Sequence, residues 1–198
     1  AGRVTKRDEK TAAAIFESLL LTGIAMSFTK TSRPGSGTEH IMAHFWECME
    51  LLDSKTPNYH GEDVGVTTLI MLRYYEALAR LPQVTAHPEI CNWDEIYSIY
   101  GPLAPDVQKL NTPDTITDGI APRWIEACWP QIRRIVQSVP SYDACLAAMR
   151  QAGCKTTIEE VGKAPDFVDI SFRFHPYMRR RLSLKRVSHM LDLPEDLF

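Results

Sequence analysis

Between residues 8 and 29, apolar and small side chains recur at intervals of three and four: Ala13, Phe16, Leu19, Leu20 and Gly23. That period predicts a helix. A glycine inside a helix costs about 1 kcal/mol against alanine, so Gly23 is expected at a close packing contact. One proline and two glycines break the pattern over residues 32–37. The period resumes from residue 36 or 38 to 53, with Met42, Phe45, Trp46, Met49 and Leu52 apolar. Residues 54–59, containing Pro57, form a loop. A third helix is predicted over 61–81, where Val64, Thr68, Met71, Leu72, Tyr75 and Leu78 line one side. Glu62 and Asp63 in its first turn suit the helix dipole.

Beyond residue 81 the pattern weakens. Residues 82–122 are proline-rich and admit short helices at most, over 94–100 and 105–110. Further helices are predicted over 123–138, from Ser141 as N-cap to Gly153, over 157–161, and over 183–191 with Ser183 as cap. No alternating run reads as a strand. The chain is therefore expected to be all-α, one domain over 1–198, with 82–122 an insert or irregular segment.

Bulk properties narrow the function. A chain of 198 residues, 44% hydrophobic and 24% charged, has enough interior for a real core and enough polar surface to be soluble. A net charge of −3 gives no electrostatic reason to expect nucleic acid or an anionic membrane as partner. The triplet Arg179, Arg180 and Arg181 is too small a basic patch to change that, and reads as a solvated turn. Apolar runs are interrupted within about ten residues, too short for a membrane span. Residues 1–10 are charged and polar, unlike a signal peptide. The chain does not begin with methionine and reads as a piece of something longer. Five scattered cysteines with no C-x-x-C pair point to free thiols in the cytoplasm, not to a disulfide frame or a cysteine zinc site. Glycine-rich phosphate fingerprints and nucleophile elbows are absent from the sequence.

The chemistry concentrates at three histidines. His40 and His44 stand at i and i+4, on one helix face and roughly 6 Å apart at Cβ. His60 opens the next predicted helix and can reach the same point if the two helices pack. Imidazoles converging from two helices can make a metal site; one or more surface or core histidines with no ligand role is the competing account. Arg33 and Ser36, at the head of the second helix, could hold a phosphate. On spacing alone, a loop arginine in solvent is the simpler account. Glu39 and Glu62 flank the histidines, either as carboxylates that orient a ring or as first-turn dipole residues. His87, His175 and His189 read as structural or surface, and Trp124 and Trp129 as core or interface.

The run 32–47, with Tyr59, His60, Gly61, Glu62, Asp63, Val64, Gly65 and Val66, resembles the C-terminal half of the glycerol-1-phosphate dehydrogenase family. That family belongs with the iron-containing alcohol dehydrogenases, glycerol dehydrogenase and 3-dehydroquinate synthase. The S-R-P-x-S-G-x-E-H…H loop and helix, and the H-G-E start that follows, are more specific than a lone histidine pair. The closing segment 179–193 is similar to the family's last helices.

The resemblance implies a helical domain beside an N-terminal Rossmann-like domain that carries NAD(P), with the active site between them. It implies His40 and His60 as ligands of a divalent metal (zinc or nickel, possibly iron), with an upstream aspartate completing the set. It implies His44 as the proton-relaying residue, and Arg33 and Ser36 as contacts to a phosphate substrate. The reaction implied is reversible reduction of dihydroxyacetone phosphate. Self-association is also expected, and the isolated chain is expected to be inactive. A dehydroquinate synthase-like or other polyol dehydrogenase activity is the alternative within the superfamily. A non-catalytic helical interaction module is the alternative outside it.

Overall fold

A computed structural model describes residues 8–198. Most of the charged start lies outside the described residues. Among the described residues nine α-helices follow one another: α1 Glu9–Thr29, α2 Thr38–Leu52, α3 His60–Arg80, α4 Trp93–Tyr100, α5 Ala104–Asn111, α6 Pro122–Ser138, α7 Tyr142–Ala152, α8 Pro165–Phe174 and α9 Leu184–Val187. Among the described residues there is no strand, only one isolated antiparallel bridge between Ala86 and Leu191. The architecture is all-α.

Local chemistry starts and stops these helices. Asp8 caps α1, its carboxylate accepting from the Thr11 N–H. Ser141 caps α7 through the Ala144 N–H, and Gly153 ends it in the left-handed conformation at φ 74°. Ser183 caps α9 through the Arg186 N–H. Two expectations fail. Residues 157–161 form turns, not a helix: the Glu160 carboxylate accepts from the N–H groups of both Thr156 and Thr157, and Gly162 turns the chain at φ 67°. The segment 165–174, assigned no helix from its pattern, is α8.

The core has two centres. In the first, Met42, Phe45 and Trp46 of α2 meet Val66 and Met71 of α3, Ile96 and Tyr100 of α4, Val107 of α5 and Phe174 of α8. Segment 82–122 thus packs into the same core as α2. Two buried hydrogen bonds fix register there. Trp46 Nε1 donates to Ser171 Oγ at 2.7 Å, and the Tyr100 hydroxyl donates to the Phe174 carbonyl at 2.7 Å. In the second centre, Tyr74 and Leu78 of α3 pack on Ile125 and Trp129 of α6 and on Val187, Met190 and Leu191. α3 packs against α2, α6 and α7. Its buried positions are Val66, Leu69, Tyr74 and Ala77 as well as Met71 and Leu78, a face turned from the predicted one. Trp129 is buried, whereas Trp124 is exposed.

α1 leaves most of its large apolar side chains in the open. Among its residues only Thr11 is buried, while Phe16, Leu19, Leu21, Ile24 and Phe28 are all more than half exposed. By length and composition α1 could cross a membrane. Thr, Ser and Gly interrupt its apolar run on paper, but they cost little when hydropathy is averaged along a helix. The close contact expected at Gly23 is not there: a Cβ at this position meets nothing within 4 Å. Gly23→Ala is therefore expected to stabilise the isolated chain by about 1 kcal/mol through helix propensity. A chemical denaturation curve with an unchanged or lower midpoint would count against this.

Candidate metal centre

α2 carries His40, His44 and Glu47 at i, i+4 and i+7, one stripe of the helix. His60 is the first residue of α3. Packing of α2 on α3 brings the rings together. The His60 ring centre lies 4.9 Å from that of His44 and 5.4 Å from that of His40.

Glu47, which the sequence reading overlooked, organises the group. Its Oε1 is 2.6 Å from His60 Nδ1 and its Oε2 is 3.0 Å from His44 Nδ1. Glu39 Oε1 stands 2.9 Å from His40 Nδ1 and also accepts the Gly37 N–H at 2.9 Å. A carboxylate can only accept, so each Nδ1 must be the protonated nitrogen. Each Nε2 then carries the free lone pair. Partial burial pushes the Glu47 carboxyl up, but hydrogen bonds and charge from His60 and His44 outweigh it and hold the group below the usual carboxylate range. The ionised form is the one that fits this role. Side-chain exposures of 24% for His40, 36% for His44 and 46% for His60 leave the rings open to a ligand.

The turn that presents His60 is held from behind. Asn58 Nδ2 donates to Asp63 Oδ1 at 3.0 Å and to the Val161 carbonyl at 2.8 Å. Buried Lys163 reaches Glu50 of α2 at 2.5 Å and Asp63 of α3 at 3.5 Å, so one ammonium ties the two histidine-bearing helices together. Burial raises the Asp63 carboxyl, with Asn58 and Lys163 opposing. The Thr67 hydroxyl adds a bond to the Glu39 carbonyl at 2.9 Å. Glu62 makes no contact with a ring. It pairs with Lys155 at 2.8 Å.

Imidazoles whose Nδ1 atoms rest on carboxylates and whose Nε2 atoms are free are the kind of donor a carboxylate–histidine–metal arrangement uses. The ligand atoms that come within 4.8 Å of one another are those of His44, Glu47 and His60, and His40 is not in that group. The residues present fit a divalent metal.

Arg33 and Ser36 lie in the wall of a cavity of about 360 Å³, together with Thr38, Tyr75, Ile132 and Arg181. None of the three histidines lines it. Arg181 is not a free surface cation, contrary to its sequence reading. Its guanidinium donates to the Ser36 carbonyl at 2.6 Å and to the Ser32 hydroxyl, and so braces the loop that holds Arg33. Arg180 pairs with Asp114.

Comparison with known proteins gives the lineage. A protein of Geobacillus stearothermophilus named glycerol-1-phosphate dehydrogenase (NAD(P)+) is 27% identical over 93% of this chain. One of the same name from Geobacillus thermodenitrificans is 25% identical over 95%. Over most of its length the chain is similar to proteins named glycerol-1-phosphate dehydrogenase. A Thermococcus kodakarensis protein of that name reaches 39% identity over 64 residues, 32% of the chain. The chain spans only about two-fifths of these relatives' length: 39% and 40% of the two Geobacillus proteins. That share is consistent with a C-terminal helical domain. No family model and no solved structure matches the chain. The five cysteines are all free thiols.

Proposed function

We propose that residues 1–198 form the helical, metal-binding domain of an NAD(P)-dependent oxidoreductase of the glycerol-1-phosphate dehydrogenase type, which reversibly reduces dihydroxyacetone phosphate in the cytoplasm. The observation that carries this reading is the convergence of His40, His44 and His60 with their Nδ1 atoms on carboxylates, in a homologue of these enzymes. His40 and His60 are the protein ligands of a divalent metal, zinc or nickel or else iron. Bound there, the metal would act as a Lewis acid on the substrate carbonyl.

His44 is the proton-delivering residue. Its Nδ1 proton is held by Glu47, so Nε2 is the nitrogen that exchanges a proton with the substrate oxygen. Glu47 and Glu39 keep the rings in the required tautomer. Arg33 and Ser36 take the substrate phosphate, with the loop braced by Arg181. NAD(P) is held by an N-terminal Rossmann-like domain within the remaining three-fifths of a protein the length of the relatives. The exposed apolar face of α1 is the surface that packs against that part of the protein. Burying such a face offers a large hydrophobic gain.

Two measurements test the reading. Elemental analysis of the purified chain is expected to find a divalent metal that His40→Ala removes. A longer version carrying the Rossmann-like domain is expected to oxidise NAD(P)H with dihydroxyacetone phosphate, and the chain alone is not. Full turnover by that longer protein with both His40 and His60 replaced by alanine would refute the mechanism.

A further inference from the structure

A second cavity, of about 760 Å³, shares no residue with the histidine centre. Aromatic rings of Tyr74, Phe172 and Phe198 line it, along with Arg173, Lys185 and His189. Lys185 of α9 is 4% exposed, and among the described residues no carboxylate pairs with it. Its Nζ lies 3.1 Å from His189 Nε2, 4.2 Å from the centre of the Phe172 ring and 5.2 Å from that of Tyr74. His189 is itself oriented: its Nδ1 is 3.2 Å from the Tyr177 hydroxyl and 3.5 Å from Glu89 Oε1. Glu89 is locked by Arg186 at 2.7 Å and by the Thr117 hydroxyl at 2.5 Å.

An ammonium removed from water without a counter-ion is costly, and contact with ring faces offsets only part of that cost. The free amine is the form that suits this place. Burial and the nearby charge of Arg173 pull the Lys185 amine down to about 7, and burial pulls His189 down to about 4. A nucleophile within hydrogen-bond reach of a base, which a third group orients, is the arrangement used for covalent catalysis. A buried amine is the lysine form that adds to carbonyls. The ring walls suit a planar body, and Arg173, although paired with Glu95 at 3.2 Å, can share an anionic group.

We propose that this cavity is a carbonyl-binding site, in which Lys185 forms a Schiff base with an aldehyde that carries a planar apolar body and an anionic group. The Nζ lone pair forms the C–N bond, and the carbonyl π electrons move to oxygen. One N–H proton passes by way of His189 Nε2 to that oxygen, which gives the carbinolamine. The second N–H proton follows the same route to the departing hydroxyl, water leaves, and the C=N bond closes. Amine and aldehyde become imine and water, with no redox partner. The site stands independently of the histidine metal centre.

The probe is 4-formylbenzoate at near-stoichiometric concentration and pH 7.5. Cyanoborohydride reduces the adduct, and peptide mapping by mass spectrometry locates it. Label is expected on Lys185 ahead of every exposed lysine, and Lys185→Met is expected to abolish it. His189→Gln is expected to slow labelling of Lys185 on the order of a hundredfold, the scale of a lost acid–base group. Benzaldehyde, which lacks the carboxylate, is expected to label more slowly than 4-formylbenzoate. Label confined to exposed lysines such as Lys55 and Lys109, with Lys185 untouched, overturns the proposal. So does a rate at Lys185 that His189→Gln leaves unchanged. The wild-type map decides by itself if either variant fails to fold.

Discussion

His60→Ala is expected to lower the affinity of the chain for zinc or nickel by about two orders of magnitude or more. α2 alone can offer only its own donors, and His60 is the ring contributed by α3. Without it His40 is left as the one proposed ligand in this chain, far short of the three protein donors that a closed or catalytic site uses. Glu47→Gln is expected to act more mildly, on the order of 10–100-fold, because it keeps every imidazole but weakens the hold on two of them. His87→Ala serves as control. That ring faces Asp192 at 3.7 Å and stands apart from the centre, so no change is expected. Isothermal titration of the metal-free chain reads all three. Equal affinity in wild type and His60→Ala would remove the centre from consideration.

Glu89→Ala is expected to cost about 3–5 kcal/mol of stability, the usual effect of stripping one partner from a buried ion pair. Arg186 is fully buried and Glu89 has 3% side-chain exposure, so the abandoned guanidinium cannot reach water. One Arg186 amino group already lacks a partner. The thermal midpoint should fall on the order of 10 °C for a chain of this size. A companion double variant, Glu89→Leu with Arg186→Met, should recover much of the loss, because neither charge is then left alone. A midpoint unmoved by Glu89→Ala would show that the pair carries no such weight.

The same cluster sets the response to acid. Burial raises the Glu89 carboxyl, but the hydrogen bond from His189, the charge of Arg186 and the bond from Thr117 outweigh it and hold the group at about 2. Its contribution is complete above the ordinary carboxyl value of 4.5 and is lost as pH falls toward 2. His175, driven by burial to about 3, and His189, at about 4, act in the same direction. Below their ordinary value of 6.5 the unfolded chain takes up protons that the folded one refuses. Stability should therefore fall continuously from pH 6.5 downward. In Glu89→Ala the part of the fall between 4.5 and 2 should be smaller. A thermal midpoint flat from pH 6.5 to 4 would contradict the burial of these imidazoles.

Much of this was legible in the residues. α1, α2, α3, α6 and α7 follow from apolar spacing and from caps such as Ser141 and Gly153, because both signals lie within a few residues of the effect. The i, i+4 histidine pair was visible for the same reason. α8 was not: Phe167, Val168, Ile170, Phe172 and Phe174 show no clean helical stripe, and their helix is settled by packing against α2 and Tyr74. The buried face of α3 was misjudged because α3 is packed by three helices, so no single stripe marks its inside.

The sequence by itself determined an all-α chain, the helix that carries His40 and His44, and a homology strong enough to suggest the chemistry. Tertiary structure decided which nitrogens are free, because Glu47 meets His60 only across the α2–α3 contact. It also decided that Lys163 ties those helices, that Arg181 braces a loop some 145 residues earlier in the chain, and that Lys185 lies buried without an anion. Helix period and capping are short-range and leave their mark in neighbouring residues. Tautomer, burial and charge balance depend on atoms brought together from distant parts of the chain, and no local pattern encodes them.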